Sequence, residues 1–342
     1  MEKDSYTNNL KIFTKKVWIT GGILAFLVII LLLLKATFSV LLLILAGTLI
    51  AVFFRGLSSF IQRKTKWQKN TSLIISITIA LLFLILIFWL MGSKLATQIT
   101  QFNESFPTTI ENAKQQLNKT SIGKQLVEKL SSEKTHNKLT SVAQTFFKTS
   151  FGVLGDIYVV LFIGIFFTVS PSVYKKGLIQ LVPKPGKPTA ENVLEKMAIN
   201  LEKWLKGKLF AMLVVFILTA TGLLIIGVPM WLVLALIAGI LNFIPNFGPL
   251  IALIPAVLVA LLQGPSTAAW VAGLYICVQI AESNFITPMV QQKLINIPPA
   301  LIIIAQLLIA PLSGGWGLVV ATPLMILIIV LVQELYIRKQ DA

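Results

Sequence analysis

Glu282 is the only acid between Glu202 and Glu334, and it stands in the string QIAESNFITP at the end of an apolar run. An ionised carboxylate at the centre of a bilayer costs about 2.5 to 3.5 kcal/mol on insertion scales, so such a group is neutral, paired or wetted. A carboxyl that takes and gives a proton there suits ion-coupled transport. Asn284 and Thr287 beside it offer oxygen atoms of the kind a hard cation such as Na+ accepts. The alternative places Glu282 near the cytosolic interface, paired with Lys293 or meeting water. A second polar group lies in NFIPNFGP, where Asn242, Pro245, Asn246, Gly248 and Pro249 interrupt an otherwise apolar stretch.

Other chemistry lacks its residues. The single cysteine, Cys277, and the single histidine, His136, leave no intrachain disulfide and no Cys/His metal cluster. His136 sits in the polar string SSEKTHNKLT, which reads as a solvated helix, far from any nucleophile-elbow pattern. There is no Walker P-loop, no H-E-x-x-H and no G-x-S-x-G. The expectation is a protein that is not an enzyme, with no metal and no cofactor.

The elements that must hold these residues are short helices. Trp231 to Ile244 and Leu250 to Leu262 each fall short of the roughly 20 residues of one crossing, and PNFGP joins them. They read as a helical hairpin that enters from one face, breaks near mid-membrane and returns. In hydrocarbon an unpaired N–H or C=O costs several kcal/mol, so broken helix survives only where protein buries it or a wet cavity lines it. A second interrupted unit follows: Pro299 to Pro311, a break at Ser313-Gly314-Gly315-Trp316-Gly317, then Leu318 to Tyr336. Paired breaks of this kind point to a transporter site, here Asn242, Asn246 and the backbone around Gly248 and Gly315. The alternative is that Pro245, Pro249 and Pro255 merely kink a structural helix.

Composition agrees with a membrane setting. Of 342 residues 56% are hydrophobic and 12% charged, and 29 Lys and Arg against 13 Asp and Glu leave a net charge of +16. Soluble domains run at about 45 to 50% apolar and about 25% charged. Between Lys208 and Glu334 the only charged side chains are Glu282 and Lys293. The basic residues punctuate apolar runs instead of forming a soluble face, so the partner is the lipid bilayer and not nucleic acid.

The predicted architecture is an all-α polytopic membrane protein in four parts. Residues 1–91 hold three transmembrane helices, Val17 to Leu34, Phe38 to Phe54 and Leu73 to Met91, with a turn at Lys35 and a basic loop from Arg55 to Asn70. Residues 92–150 form an extracytoplasmic insertion of amphipathic helices, lying on the outer leaflet, against neighbouring subunits or on each other. Residues 151–208 add a fourth span, Phe151 to Val169, and an interfacial helix anchored by Trp204 that turns into the bilayer near Gly207. Residues 209–342 form the transport core with its broken helices. Counting Lys and Arg puts the N-terminal flank, the 55–70 loop, the lysine-rich 171–208 segment and the C-terminal Arg338 and Lys339 in the cytosol.

With these residues in view, the chain resembles the autoinducer-2 exporter family of bacterial membrane proteins. The likeness rests on GILNFIPNFGPLIALIPAVLVALL at 239–262, WLKGKL at 204–209, ESNFITP at 282–288 and GGWGLVVATP at 314–323. It differs from the family where Lys208 replaces the usual Gln and where Ala310 and Pro311 stand in place of Gly. The resemblance implies a polytopic exporter with about seven or eight transmembrane helices and a homo-oligomer, in a family linked both to autoinducer-2 export and to Na+ or Li+/H+ antiport.

Three functional readings stay open on this evidence. The first is a secondary transporter of the bacterial cytoplasmic membrane that exports a small polar solute, with H+ or Na+ as coupling ion at Glu282. The second is a cation/proton antiporter, and the third a membrane scaffold without transport.

Overall fold

The computed structural model describes residues 2–86, 89, 155–261, 263–291 and 298–340, and in these it is helical without a strand. The expected insertion at 92–150, with His136, and the segment holding Lys293 lie outside the described residues. Five segments are long and apolar enough to cross a membrane: Lys16–Thr65, Lys69–Leu86, Lys184–Ile226, Pro265–Met289 and Gly315–Ile337. A sixth follows if Gly155–Val169 and Pro171–Gln180 are taken together across their 88° bend.

We number the helices α1 (Glu2–Thr65), α2 (Lys69–Leu86) and α3 (Gly155–Val169), α4 (Pro171–Gln180) and α5 (Lys187–Ile226). There follow α6 (Trp231–Leu241), α7 (Phe247–Leu261) and α8 (Pro265–Ala281). A π-helical turn (Glu282–Ile286) leads into α9 (Thr287–Gln291), and α10 (Pro299–Ser313) and α11 (Gly315–Val332) complete the core.

Two expected turns are absent. Helix α1 runs unbroken through Lys35 for 64 residues, about 96 Å at ~1.5 Å per residue. Neither Gly nor Pro stands between Gly22 and Gly47 to stop it, and Thr37 Oγ1 donates to Leu33 O at 2.8 Å across the expected turn. The N-terminal lysines and the basic residues Arg55, Arg63 and Lys64 therefore occupy opposite ends of one helix, not one side of a two-helix hairpin. Helix α5 likewise passes Gly207 and extends for 40 residues. One interior glycine costs about 1 kcal/mol, too little to end a helix whose buried stripe continues through Leu201, Trp204, Leu205, Lys208 and Ala211.

Helix α5 is the hub, packing against α1, α4, α6, α8, α9 and α11. On one side Leu223, Leu234, Ala252, Ala256, Ala260, Val271 and Tyr275 form a core shared by α5 to α8. On the other, Leu42, Leu45, Val160, Ala305, Val320 and Ala321 join α1, α3, α10 and α11. Leu49, Leu201, Trp204, Leu205 and Ile326 link the two halves. Helix α7 presents Gly248, Ala252, Ala256 and Ala260 at every fourth position, all buried, and such a small-residue stripe lets neighbouring backbones approach closely. The same device joins α1 to α3, where a Cβ on Gly47 would meet Ile163 Cγ2 at 2.5 Å and one on Gly164 would meet Ile50 Cγ2 at 2.5 Å.

Gly227, at φ 79°, ends α5 in the left-handed conformation, and Val228 N reaches back to Leu223 O at 3.0 Å. This sharp reversal starts α6 antiparallel against α5 and sets the register of everything at the break.

Candidate transport site

The buried stripe of α8 carries Ala268, Val271, Tyr275 and Val278, and continues into the π turn as Glu282 and Ile286. Glu282 thus occupies a core position and is 7% exposed. The stripe of α5 contains Lys208 in the same way, 9% exposed between Leu205 and Ala211. The two charges meet where the stripes face each other, with Lys208 Nζ 3.9 Å from Glu282 Oε1. Either charge alone in an apolar interior is costly, and together they neutralise one another.

Two further groups hold the carboxylate. Thr287 Oγ1 donates to Oε1 at 3.1 Å, and Gln279 Nε2 donates to Oε2 at 3.4 Å and to Ser283 Oγ at 3.2 Å. The π turn makes the first contact possible. At ~3.6 residues per turn a residue five positions on lies well off the face of the first, whereas an i→i+5 turn stacks them. Its bond runs from Thr287 N to Glu282 O. Pro288 follows directly and lacks the N–H that an α-helix would send to Asn284 O, which favours a widened turn here.

The break between α6 and α7 lies at the same level. On α6, a Cβ on Gly239 would touch Phe216 Cβ and Met212 O, while the Phe243 ring packs edge-on against Trp204 with centroids 5.6 Å apart. Asn242 is therefore bracketed along α5 between Trp204 and Met212, the interval that contains Lys208. It is 2% exposed, and its Nδ2 finds no hydrogen-bond acceptor. An orphaned buried amide costs about 1 to 3 kcal/mol, so it is held there by its surroundings.

Within the break Asn246 takes φ 64°, a left-handed conformation that Asn tolerates better than most residues. A Cβ on Gly248 would run into Leu241 O and C, so only glycine lets the start of α7 pass the end of α6. The carbonyl of Pro245 is not free: Gln306, fully buried on α10, donates Nε2 to it at 2.9 Å and accepts from Asn246 Nδ2 at 3.3 Å. Gln306 thereby ties the first break to the second unit.

Of the residues expected at the site, Glu282 and Thr287 come into contact, and Pro245 and Asn246 meet through Gln306. Asn242 and Gly248 are buried at the junction, and Pro249 lies in the first turn of α7. Asn284 is exposed and donates Nδ2 to Ile280 O of its own helix, so it does not join Glu282. In the second break the backbone turn falls on Gly314, at φ 63° and ψ −141°, while Gly315 opens α11 with space around it. The next residue, Trp316, donates Nε1 to Asp156 Oδ2 on α3 at 2.7 Å. Among the described residues the partner found for Glu282 is Lys208; the expected partner Lys293 lies outside them. Lys208 as a partner, Gln279, Gln306 and Asp156 were missed, although Gln306 is the one strongly polar residue in PALIIIAQLLIAPLS.

At the far end of α5 a second ionic group closes the bundle. Glu334 Oε2 accepts from Lys196 Nζ at 2.6 Å, Arg338 Nη1 at 2.9 Å and Asn192 Nδ2 at 3.2 Å. An open groove of about 590 Å³ beside it is lined by Val182, Val193, Leu194, Met197, Leu331 and Leu335 and carries none of the polar break residues.

Long apolar helices gathered around interrupted ones, with a charged pair buried at the interruption, define a multi-pass membrane protein with a transporter's core. The sequence profile of the AI-2E family transporter matches residues 24–337, and the chain belongs to that family. It is 28% identical over 149 residues to YrrI of Bacillus subtilis (strain 168), to which transport is ascribed, covering 44% of this chain and 42% of that protein. It is 27% identical over 175 residues to PerM of Escherichia coli (strain K12), to which a permease role is ascribed, covering 50% of each. A relative from Alkalihalophilus pseudofirmus, to which transport is likewise ascribed, is 23% identical over 355 residues, covering 96% of this chain and 89% of the relative. The first two relatives are thus matched over half of their length or less.

Proposed function

We propose that this membrane transporter is a secondary exporter of a small polar solute, driven by an ion gradient through Glu282. The observation that carries the reading is the carboxylate itself: a core position in the π turn that follows α8, one lysine facing it, and a broken helix at its level. A group that bears charge in one state and not in another can bias two packings of the helices around it. The polar break supplies Asn242, with an unused amide donor, and the backbone from Pro245 to Pro249 as contacts for a solute. Autoinducer-2, after which the family is known, is the first solute to test.

The reading sets the chain in a bacterial cytoplasmic membrane, with the lysine-rich 171–208 segment and the C terminus inside. The exposed apolar run of α1 from Val17 to Leu33 stands clear of the bundle and offers a surface for lipid or a second copy, in keeping with a homo-oligomer. The test is uptake of autoinducer-2 into inside-out vesicles carrying the protein, driven by an imposed pH gradient. Accumulation that collapses with the gradient supports the reading. Equal uptake by vesicles lacking the protein sinks the proposed substrate.

A further inference from the structure

The cation a coupling carboxylate accepts depends on what already faces it. Among the described residues Lys208 is the one cation within ion-pair range of Glu282, and Glu282 is the one acid within range of Lys208. Both side chains are about nine-tenths buried. The ammonium approaches Oε1, the same oxygen that Thr287 Oγ1 bonds, while Gln279 takes Oε2. The hydroxyl and amide therefore meet the carboxylate as donors, and Asn284, expected to add an oxygen, is turned outward onto Ile280 O.

We propose that Lys208 is the resident cation of the Glu282 site, a tethered ammonium that stands where an alkali cation would bind and restricts the site to protons. The proposal rests on the reading of Glu282 as the coupling carboxylate and adds which ion it couples. A proton and a sodium ion both raise the pair's charge from zero to one, but they do so differently. The proton bonds to a carboxylate oxygen, removes the negative charge there and needs no space. A sodium ion needs several oxygens and must sit beside a carboxylate whose other neighbour is an ammonium on a buried four-carbon stem. At close range in a low-dielectric interior two cations repel strongly. Lysine is also a compact point charge with rotatable donors, so it can leave a protonated Glu282 and return to an ionised one. The 3.9 Å gap, without a hydrogen bond, suits such a movable partner.

The experiment measures thermal unfolding of the purified full-length protein in NaCl, LiCl and choline chloride at equal ionic strength, with radioactive sodium binding alongside. Wild type is expected to melt at one temperature in all three salts and to bind no saturable sodium. Lys208→Gln opens the place of the ammonium and is expected to melt several degrees higher in NaCl and LiCl than in choline chloride. Its sodium affinity should exceed that of wild type by about tenfold or more, and adding Glu282→Gln should abolish the gain. A wild-type melting rise in NaCl or LiCl, or saturable sodium binding that Glu282→Gln removes, overturns the proposal, as does a folded Lys208→Gln protein indifferent to sodium. If Lys208→Gln does not fold, the wild-type measurements still decide. Failure of the coupling reading is separately visible, because Glu282→Gln would then transport with its proton dependence intact while these sodium results stood unchanged.

Discussion

Lys208 Nζ lies 3.9 Å from Glu282 Oε1, each residue occupying a core position on a different helix of the bundle. The separation exceeds the ~2.7 to 2.9 Å of a charge-assisted hydrogen bond. The pair therefore neutralises two buried charges without locking α5 to the π turn. Around it the bundle is held by apolar contacts and by the small-residue stripe of α7.

Removing one member of the pair strands the other. Lys208→Gln is expected to lower stability by about 3 kcal/mol, the scale for breaking a buried ion pair. The double substitution with Glu282→Gln should recover most of that loss. A double-mutant cycle from denaturant unfolding in detergent micelles checks it, and additive losses would show that the two groups do not interact.

Gln306 caps Pro245 O and receives Asn246 Nδ2. Gln306→Leu removes one of two donors to Pro245 O, which keeps Phe247 N at 2.7 Å, and the acceptor of Asn246 Nδ2, with an expected cost of about 0.5 to 1.5 kcal/mol per bond lost. Gln306 joins the two broken units, and on the proposed function transport should fall with stability. The check is to compare the melting temperature with the solute uptake rate at a temperature where the variant is folded. Unchanged values in both would mean that the cap is not made.

Gly248 has no room for a methyl group against the Leu241 carbonyl. Gly248→Ala is expected to separate α6 from α7 and to abolish recovery of folded protein by size-exclusion chromatography. Gly315→Ala, in open space, should be recovered normally and serves as the matched control.

The bond from Trp316 Nε1 to Asp156 Oδ2 joins the second break to α3. Trp316→Phe keeps the ring and loses the donor, for an expected cost of about 1.5 to 3 kcal/mol as a bond to a carboxylate acceptor. Asp156→Asn keeps an acceptor oxygen and should cost less. Thermal melting of the two variants side by side gives the comparison, and the reverse order would contradict this geometry.

Much of the core was legible in the sequence because its signals are local. Pro245, Gly248 and Pro249 cluster where one helix ends and the next begins, and Gly314 with Gly315 does the same in the second unit. Glu282 stands out as a lone acid in an apolar field. The turns expected at Lys35 and Gly207 did not form, because a single lysine or glycine does not break a helix when its neighbours favour one. The pairing of Glu282 with Lys208 depends on how α8 packs against α5, and no local pattern encodes that register, although both residues fall on apolar stripes at three- and four-residue spacing. Thr287 was chosen as a neighbour of Glu282, yet an ordinary helical wheel would turn it away. Only the π turn before Pro288 brings it back, while Asn284, nearer in sequence, is turned outward.

The most direct test of the account follows proton movement in proteoliposomes loaded with a pH-sensitive dye, for wild type and Glu282→Gln, while autoinducer-2 is added under an imposed pH gradient. Wild type is predicted to move protons together with the solute, and Glu282→Gln to lose that proton movement while remaining folded. Proton-coupled transport by Glu282→Gln equal to that of wild type across pH would contradict the assignment of Glu282 as the coupling group.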